Sequence, residues 1–332
     1  MKEIISNSLI SEVKTILDKA RTHVVQTVNN EILIAYWNIG KLLVEYDNMP
    51  NNGEKVDMLT LSKELTKALG KGFSRSNLFN MKKFYLTYPS VQTLSGLSWS
   101  HYCELLSLED NDARSFYEKE CVNSNWSVRE LKRQIDTSLF ERLLLSNGKA
   151  NKEKVMKLAM QGITYQTPED IIKQPYVFEF LGIPENKPIL EKDLEKALIE
   201  KIENFLLELG RGFMFVGSQQ RITIDNTHYY CDLVFYNKIL HAYVLIDLKI
   251  GKLKPENIGQ MNAYLNYYEK EVNDVGDEKP IGIILCANTS EVVAEYALGG
   301  LTNQIFASKY VYYIPNKEEL IKQVEDAMKE LD

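Results

Sequence analysis

The sequence predicts an α+β chain in two parts: an all-helical N-terminal domain, then an α/β domain built on a mixed sheet. Three observations predict it. Through about residue 145, apolar residues recur every third or fourth position, the period of a helix that buries one face. After Gly210 the runs become rich in β-branched and aromatic residues and are cut by short polar turns, as strands are. Helix-period and strand-like segments then alternate to the end, the order of a sheet with helices packed on it. With 332 residues and 45% hydrophobic content, the chain is long enough for two domains with real cores.

The helical part is justified element by element. "SEVKTILDKARTHVVQTVNNEILIAYWNIGKLLVEY" carries the helical period, and "NMPNNGEK" breaks it with Asn, Pro and Gly. "DMLTLSKELTKALGKG" is a short helix closed by Gly70 and Gly72. "FSRSNLFNMKKFYLTYP" starts another at Ser74, a side chain able to cap the free N–H groups of a first turn, and Pro89 stops it. "SWSHYCELLSL" and "DARSFYEKECV" follow. "SVRELKRQIDTSLFERLLL" opens with Ser127 and Glu130, the spacing of a capping box. Trp37, Trp99 and Trp126 are expected in the core. Domain limits are expected at 1–150 for the helical part, 151–190 for a connector region around a short helical or extended piece, "PEDIIKQPYVFEFL", and 191–332 for the α/β part.

In the second part, "EKDLEKALIEKIENFLLELG" reads as one helix ending at Gly210. "FMFVGSQQRITI", "HYYCDLVFY" and "LHAYVLIDLKI" are strands split by "DNT" and "NKI". "KPENIGQMNAYLNYYEKE" is a helix, and "PIGIILCAN" is a continuously apolar strand, as expected when both faces are covered. "EVVAEYAL" is read as helix, "SKYVYYIP" as strand, and "KEELIKQVEDAMKEL" as the closing helix.

Composition excludes several function classes. No apolar run approaches the ~20 residues of a membrane-spanning helix, and the start is amphipathic without a signal-peptide core, so a cytoplasmic protein is expected. Cys103, Cys121, Cys231 and Cys286 are scattered without CxxC spacing, which argues against a zinc site or a disulfide framework. Net charge is −7, so the bulk gives no support to a nucleic-acid partner. Charge is sorted locally, however. Lys63, Lys67, Lys71, Arg75, Lys82 and Lys83 face Glu64 alone between residues 62 and 83, and Lys249, Lys252 and Lys254 cluster without an acid.

The chemistry is expected where charge interrupts the most apolar stretch, "DLVFYNKILHAYVLIDLKIGKLKPENIGQMNAYL". Buried charges are costly unless paired or bound to metal. Strand alternation points Asp247 and Lys249 the same way. A loop of Lys238 to His241 sets Asp232 opposite Asp247, whereas a turn of Asn237-Lys238 sets it opposite Tyr243; both keep the carboxylates on one face. Two carboxylates beside an ammonium suit a hard cation such as Mg²⁺, which also accepts waters and phosphate oxygens. A plain Asp–Lys ion pair at a sheet edge is the competing reading. The triplet alone says little, since Glu12-Val-Lys14 and Asp277-Glu-Lys279 repeat its pattern.

Helix, three-stranded meander with D…(D/E)xK, helix, strand resembles the core of the PD-(D/E)XK nuclease superfamily. Gln260-Met-Asn-Ala-Tyr264 resembles the QxxxY signature of its exonuclease-like branches, both side chains lying on one helical face. "LEKALIEKIENFLLELGRGFMFVGSQQRI", "YCDLVFYNKIL", "LKIGKLKPENIGQMNAYL", "YWNIGKLL", "GFSRSNLFNMKKFY", "LSWSHYCELL" and "WSVRELKRQI" are similar to the YhcG-like family, which joins a helical N-terminal domain to such a nuclease domain. The resemblance implies a nuclease acting on DNA with Mg²⁺, or Mn²⁺ in its place. It makes Asp232 and Asp247 metal ligands, Lys249 the catalytic lysine, and Gln260 and Tyr264 supporting residues. It asks for a further acid on the preceding helix as a third metal ligand: Glu195 is the choice, with Glu191 and Glu203 as alternatives. Gln219, Arg221, Lys252 and Lys254 are candidates for contact with nucleic acid, Arg221 being equally readable as ordinary strand surface. Cys231 stands where the pattern has Pro, and Asp247 where Glu is frequent.

"LSKELTKALGKGFSRSNLFNMKKFYLTYP" resembles a helix-turn-helix, with Arg75 and Asn77 near base edges and Lys82 and Lys83 near phosphates. A helical partner-binding domain is the rival reading. A homodimer is expected from the convenience of two sites for two strands, and partner proteins of a DNA-processing or defence assembly are the other expected company. For the whole chain the alternative to a nuclease is a noncatalytic binding component on a nuclease fold.

Overall fold

The structure is a computed structural model and describes residues 7–49, 57–91, 94–146, 152–184, 189–288 and 304–329. The chain divides between Lys132 and Arg133 into two compact units.

The first unit is helical, as the 3.6-residue period predicts. Helices α1 (Asn7–Asp47), α2 (Met58–Leu69), α3 (Arg75–Thr87), α4 (Trp99–Leu105) and α5 (Asn111–Asn123) lie within it, and α6 (Val128–Asp136) carries the point of division. Capping follows the sequence. Asp57 accepts from Leu59 N–H at 3.0 Å, Ser74 from Asn77 N–H at 3.2 Å, and Ser127 and Glu130 close their box reciprocally. Leu78, Met81 and Phe84 on α3 are fully buried, as their spacing predicts, while Phe73 is half-buried. The three tryptophans are half-buried, and Trp99 packs against the core of Leu43, Met58, Leu78 and Met81. Each indole is large and, in Trp37 and Trp99, its N–H is held by a partner: Tyr88 O at 2.8 Å and Asn77 Oδ1 at 2.8 Å.

The second unit is an α/β/α sandwich. Its six strands are β1 (Tyr176–Val177), β2 (Phe213–Ile224), β3 (Thr227–Asn237), β4 (Ala242–Lys252), β5 (Ile281–Asn288) and β6 (Gln304–Val311), in sheet order β1-β6-β5-β4-β3-β2. β4, β5, β6 and β1 run parallel, and β3 and β2 complete the sheet antiparallel, the mixed sheet predicted. Helices α7 (Leu139–Leu144), α8 (Lys152–Gln161), α9 (Glu191–Glu200), α10 (Ile202–Leu209), α11 (Pro255–Tyr267) and α12 (Lys317–Lys329) complete it. Leu194, Leu198, Phe205 and Leu209 of α9 and α10 cover one sheet face, and Ile258, Met261, Tyr264 and Leu265 of α11 cover the other. Cys231 and Cys286 are buried and unpaired.

Three elements differ from expectation. The helix read as continuous over 191–209 breaks at Lys201, whose φ of −114° is not helical. Inside the connector region, the piece expected to be helical or extended is more than a link: it forms β1, which pairs with β6, and gives Tyr176 and Phe178 to the core. The last strand lies four residues earlier than "SKYVYYIP" suggests, because Gln304–Ala307 alternate less sharply than the tyrosines after them. The helix expected over "EVVAEYAL" lies outside the described residues.

A buried ionic cluster ties these pieces together. The Glu208 carboxylate on α10, fully buried, accepts from Arg142 at 2.5 Å, from Arg133 at 3.2 Å and from Val177 N–H at 3.0 Å. Lys173 donates to its carbonyl. Burial alone raises the Glu208 carboxyl, but Arg142, Lys173 and Arg133 overcome that and hold it at about 2.

Candidate active site

β3 and β4 are joined by the four-residue loop Lys238–His241, the first of the two registers expected. Asn237 pairs with Ala242 and Leu233 with Ile246, where the β3–β4 ladder ends; Asp232 and Asp247 stand just past that end, near enough for the Asp232 carboxylate to raise Asp247. Beyond this point β3 pairs with β2 alone. The Asp232 side chain serves the ladder there: its Oδ2 accepts the Leu248 N–H at 2.8 Å.

Asp247 is 2% exposed. Its Oδ2 lies 2.8 Å from Lys249 Nζ but off the direction of a hydrogen bond, so this buried oxygen keeps an unused lone pair. Burial pushes the Asp247 carboxyl well above the carboxylate range; Lys249 pulls it down and Asp232 pushes it up again. Burial works against the Lys249 ammonium, and Asp247, Glu191 and Asp232 more than offset that, raising it. Glu191 Oε2 is 3.7 Å from Lys249 Nζ, and its Oε1 accepts from Ile250 N–H at 3.4 Å.

The third acid arrives through an amide. Gln219 sits on β2 at φ +47°, a left-handed backbone that re-aims the strand, close to a bulge between Phe215 and Gly217. Its Nε2 donates to Glu195 Oε2 at 2.8 Å and to Asp232 Oδ1 at 3.1 Å. Glu195 is therefore largely buried instead of lying on a solvated helix face, and burial raises its carboxyl. Glu203 stays exposed on α10, past the break at Lys201.

On α11, Gln260 Nε2 donates to Tyr264 Oη at 2.5 Å, and that hydroxyl donates to the Tyr230 carbonyl at 3.1 Å. The pair predicted by i, i+4 spacing thus forms, and it acts on the backbone of β3 two residues before Asp232.

The donor set fits a hard divalent cation. Asp232 and Asp247 offer neighbouring carboxylates, and the buried Asp247 Oδ2 is without a hydrogen bond. Mg²⁺ needs only one or two carboxylates, with waters or phosphate oxygens completing its shell. Among the described residues, His, Cys, Asp and Glu side chains do not gather in threes as ready ligands; Glu195 is held one amide away from Asp232.

The remaining predicted residues divide. Arg221, Lys252 and Lys254 are exposed, on β2, at the end of β4 and at the start of α11. In the first unit, Asn77 is engaged internally, its amide donating to Gly72 O at 2.5 Å and accepting from Trp99. Lys82 is paired with Asp47. Both side chains, expected near base edges and phosphates, thus have partners within the first unit. Arg75 lies over the Phe79 ring at 5.5 Å, and Lys83 is exposed. The sequence reading gave Glu191 only as an alternative acid and missed Tyr230; spacing from Lys249 cannot reveal Glu191, which meets it across the fold.

A profile of the YhcG PDDEXK nuclease domain matches residues 169–325, and one of the DUF1016 N-terminal domain matches residues 12–142. The chain is 36% identical to "Putative nuclease YhcG" of Escherichia coli (strain K12), over 93% of this chain and 91% of that protein. Among solved structures, it matches a repair endonuclease from Pyrococcus abyssi at 17% identity over 38% of this chain and 49% of that one, TM-score 0.26. It matches an EndoMS–dsDNA complex at 13% identity over 41% and 51%, TM-score 0.27. The chain spans about half the length of each of these two solved chains. No helix among the described residues is long and apolar enough to cross a membrane. By the length and identity of these matches, the chain belongs to the YhcG family of PDDEXK nucleases, with a DUF1016 domain preceding its nuclease domain.

Proposed function

We propose that this nuclease is a divalent-metal-dependent deoxyribonuclease of the cytoplasm, with Asp232 and Asp247 holding Mg²⁺ or Mn²⁺ and Lys249 beside them. The observation that carries the reading is the Lys249 ammonium 2.8 Å from a buried Asp247 oxygen, with the Asp232 carboxylate of the neighbouring strand close enough to push the Asp247 carboxyl up. A cation bound there supplies charge neutralisation at the scissile phosphate and acidifies the attacking water. Lys249 faces the negative charge that develops on the phosphate. Glu191 and Asp247 fix its ammonium from two sides, so little reorganisation is needed during the reaction. Gln219 orients Asp232 and Glu195 together, and Gln260 with Tyr264 steadies the strand that carries Asp232. Lys252 and Lys254 hold the phosphates that flank the cut.

Cleavage of plasmid and linear DNA with Mg²⁺ is expected, and its loss on chelation. Asp247→Ala and Lys249→Ala should each lower the rate by at least about a hundredfold, the scale of losing one preorganised charge-stabilising group. Cleavage that survives both substitutions rejects the site; a preference for RNA over DNA rejects the substrate.

For assembly, a second copy is the proposed partner of α1. Ile10, Val13, Leu17, Val24, Val28 and Ile32 recur at helical spacing within one stripe and are all more than a third exposed. Together they offer roughly 500 Å² per copy, so a pair buries on the order of 1,000 Å², the lower bound of a specific interface. Sedimentation equilibrium of the full chain should give a dimer that Leu17→Glu with Val24→Glu dissociates; a monomer at every concentration rejects it.

A further inference from the structure

We infer that Tyr230, with Arg221, forms a stacking platform for an unpaired nucleobase next to the scissile phosphate, and that the preferred substrate is single-stranded nucleic acid. This rests on the nuclease reading of Asp232 and Asp247.

The platform is built by the hairpin of β2 and β3. From Thr227 to Asp232, β3 pairs with β2 only, so this stretch is a two-stranded ribbon beyond the edge of the β3–β4 ladder. Its tip is Asp225-Asn226, both at positive φ, a tight hairpin turn that fixes the register. Arg221 and Tyr230 are paired residues of that register. Paired residues in an antiparallel ribbon share a face. Tyr230 lies two residues before Asp232, roughly 7 Å along the strand, and Asp232 itself stands where alternation is interrupted, Cys231 and Leu233 packing against opposite covers of the sheet.

Both side chains are free. Tyr230 is 50% exposed and Arg221 is exposed. Among the described residues, neither side chain has a hydrogen bond, an ion pair or a ring contact. A strand surface selected only for solubility has no need of a bare phenol beside a bare guanidinium. The neighbouring Tyr229 shows the contrast: its ring packs edge-on against Tyr264, 6.5 Å between centroids. The backbone of Tyr230 is also the one that Tyr264 and Gln260 clamp, so the platform is held in place relative to Asp232.

An aromatic face and a guanidinium plane are the groups on which unpaired bases stack, and the arginine adds a contact to the phosphate. Within a continuous duplex both faces of each base are already covered by neighbours. The ring of Tyr230 is therefore usable by a base only where the strand is single or splayed. Every base has a π-face, so the platform discriminates strand form and not sequence.

The test uses the full chain and one oligonucleotide sequence offered as single strand, as continuous duplex, and as duplex with a single-stranded tail. With Mg²⁺, the single strand and the tail should be cut at least about tenfold faster than the duplex. Tyr230→Ala should slow single-strand cleavage by about tenfold to hundredfold, the worth of one stacked base, and Tyr230→Phe, which keeps the ring, should recover most of the rate. A second measurement needs no cleavage: 2-aminopurine in the single strand should be quenched on binding to the Asp247→Ala protein, and less so when Tyr230→Ala is added. Equal or faster cutting of the duplex overturns the inference, as does a Tyr230→Ala protein that cuts and quenches like the parent. If no variant cleaves but the quench depends on Tyr230, the platform stands and the nuclease reading falls. If cleavage needs Asp247 and ignores Tyr230, the reverse holds.

Discussion

Gln219 shows how much of this site depends on single hydrogen bonds. One amide group binds two carboxylates that would otherwise repel, and a buried acceptor deprived of its donor costs about 1–3 kcal/mol. Gln219→Leu is therefore expected to lower stability by that amount in urea denaturation and to slow cleavage together. Tyr264→Phe removes the hydroxyl that holds the Tyr230 carbonyl while leaving the buried ring in place. It should cost little stability, yet lower the cleavage rate by about tenfold, since small misplacement of a positioned group is expensive in rate. That Asp232, Asp247 and Lys249 come together was legible in the sequence, because charge inside a run of strand residues needs a partner. The choice among Glu191, Glu195 and Glu203 was not, because all three sit on one helical pattern. Only the break at Lys201 and the reach of Gln219 separate them. Gln219 itself was legible as a candidate but not in its role, since a left-handed residue inside a strand leaves no periodic trace.

At the scale of elements, close packing makes two sharper demands. Gly40 of α1 passes so near α3 that an added Cβ falls inside the van der Waals surface of the Met81 carbonyl, a backbone atom that cannot rotate away. Gly40→Ala should destabilise the first unit by about 1–3 kcal/mol, as overpacking does, lowering the midpoint of its thermal unfolding. Glu208 makes the other demand. Its carboxyl is held at about 2 when folded, below the ordinary glutamate value, so folding favours the ionised form. The stability it contributes is present above about pH 4.5 and is lost as pH falls from there toward about 2. Glu208→Gln leaves Arg142, itself fully buried, without its counter-charge and should cost about 3–5 kcal/mol near neutral pH. The variant should also lose its parent's acid-side slope; an unchanged slope would show that other carboxylates set it. The helices and strands were largely readable from period and caps. β1 was not: two residues between Pro175 and a short helical turn carry no period, and their pairing with β6 is set by tertiary contact.

For the whole molecule, a net charge of −7 means that on the proposed reading nucleic acid must be held against an average repulsion by a few local cations. On that reading these are the exposed Arg221, Lys252 and Lys254, with Lys249, which Asp247→Ala frees from its nearest ion-pair partner. Each phosphate neutralised on a single strand contributes about −0.7 to the slope of log K against log salt, so four contacts give a slope of about −3. The helix-turn-helix reading of the first unit adds contacts only through residues left free by the fold. Asn77 and Lys82 are engaged internally, which leaves Arg75 and Lys83. Were those two to bind phosphates as well, the slope would steepen to about −4 or beyond. The expected outcome is the shallower value. Fluorescence anisotropy on a single-stranded oligonucleotide, repeated over a range of KCl with the Asp247→Ala protein, should give about −3. Lys252→Ala with Lys254→Ala should reduce its magnitude by about 1.4, and Arg75→Ala with Lys83→Ala should leave it unchanged. A steeper slope that drops only in the Arg75 and Lys83 variant would instead make the α2–α3 pair a nucleic-acid contact, and a partner-binding role for the first unit would lose its support.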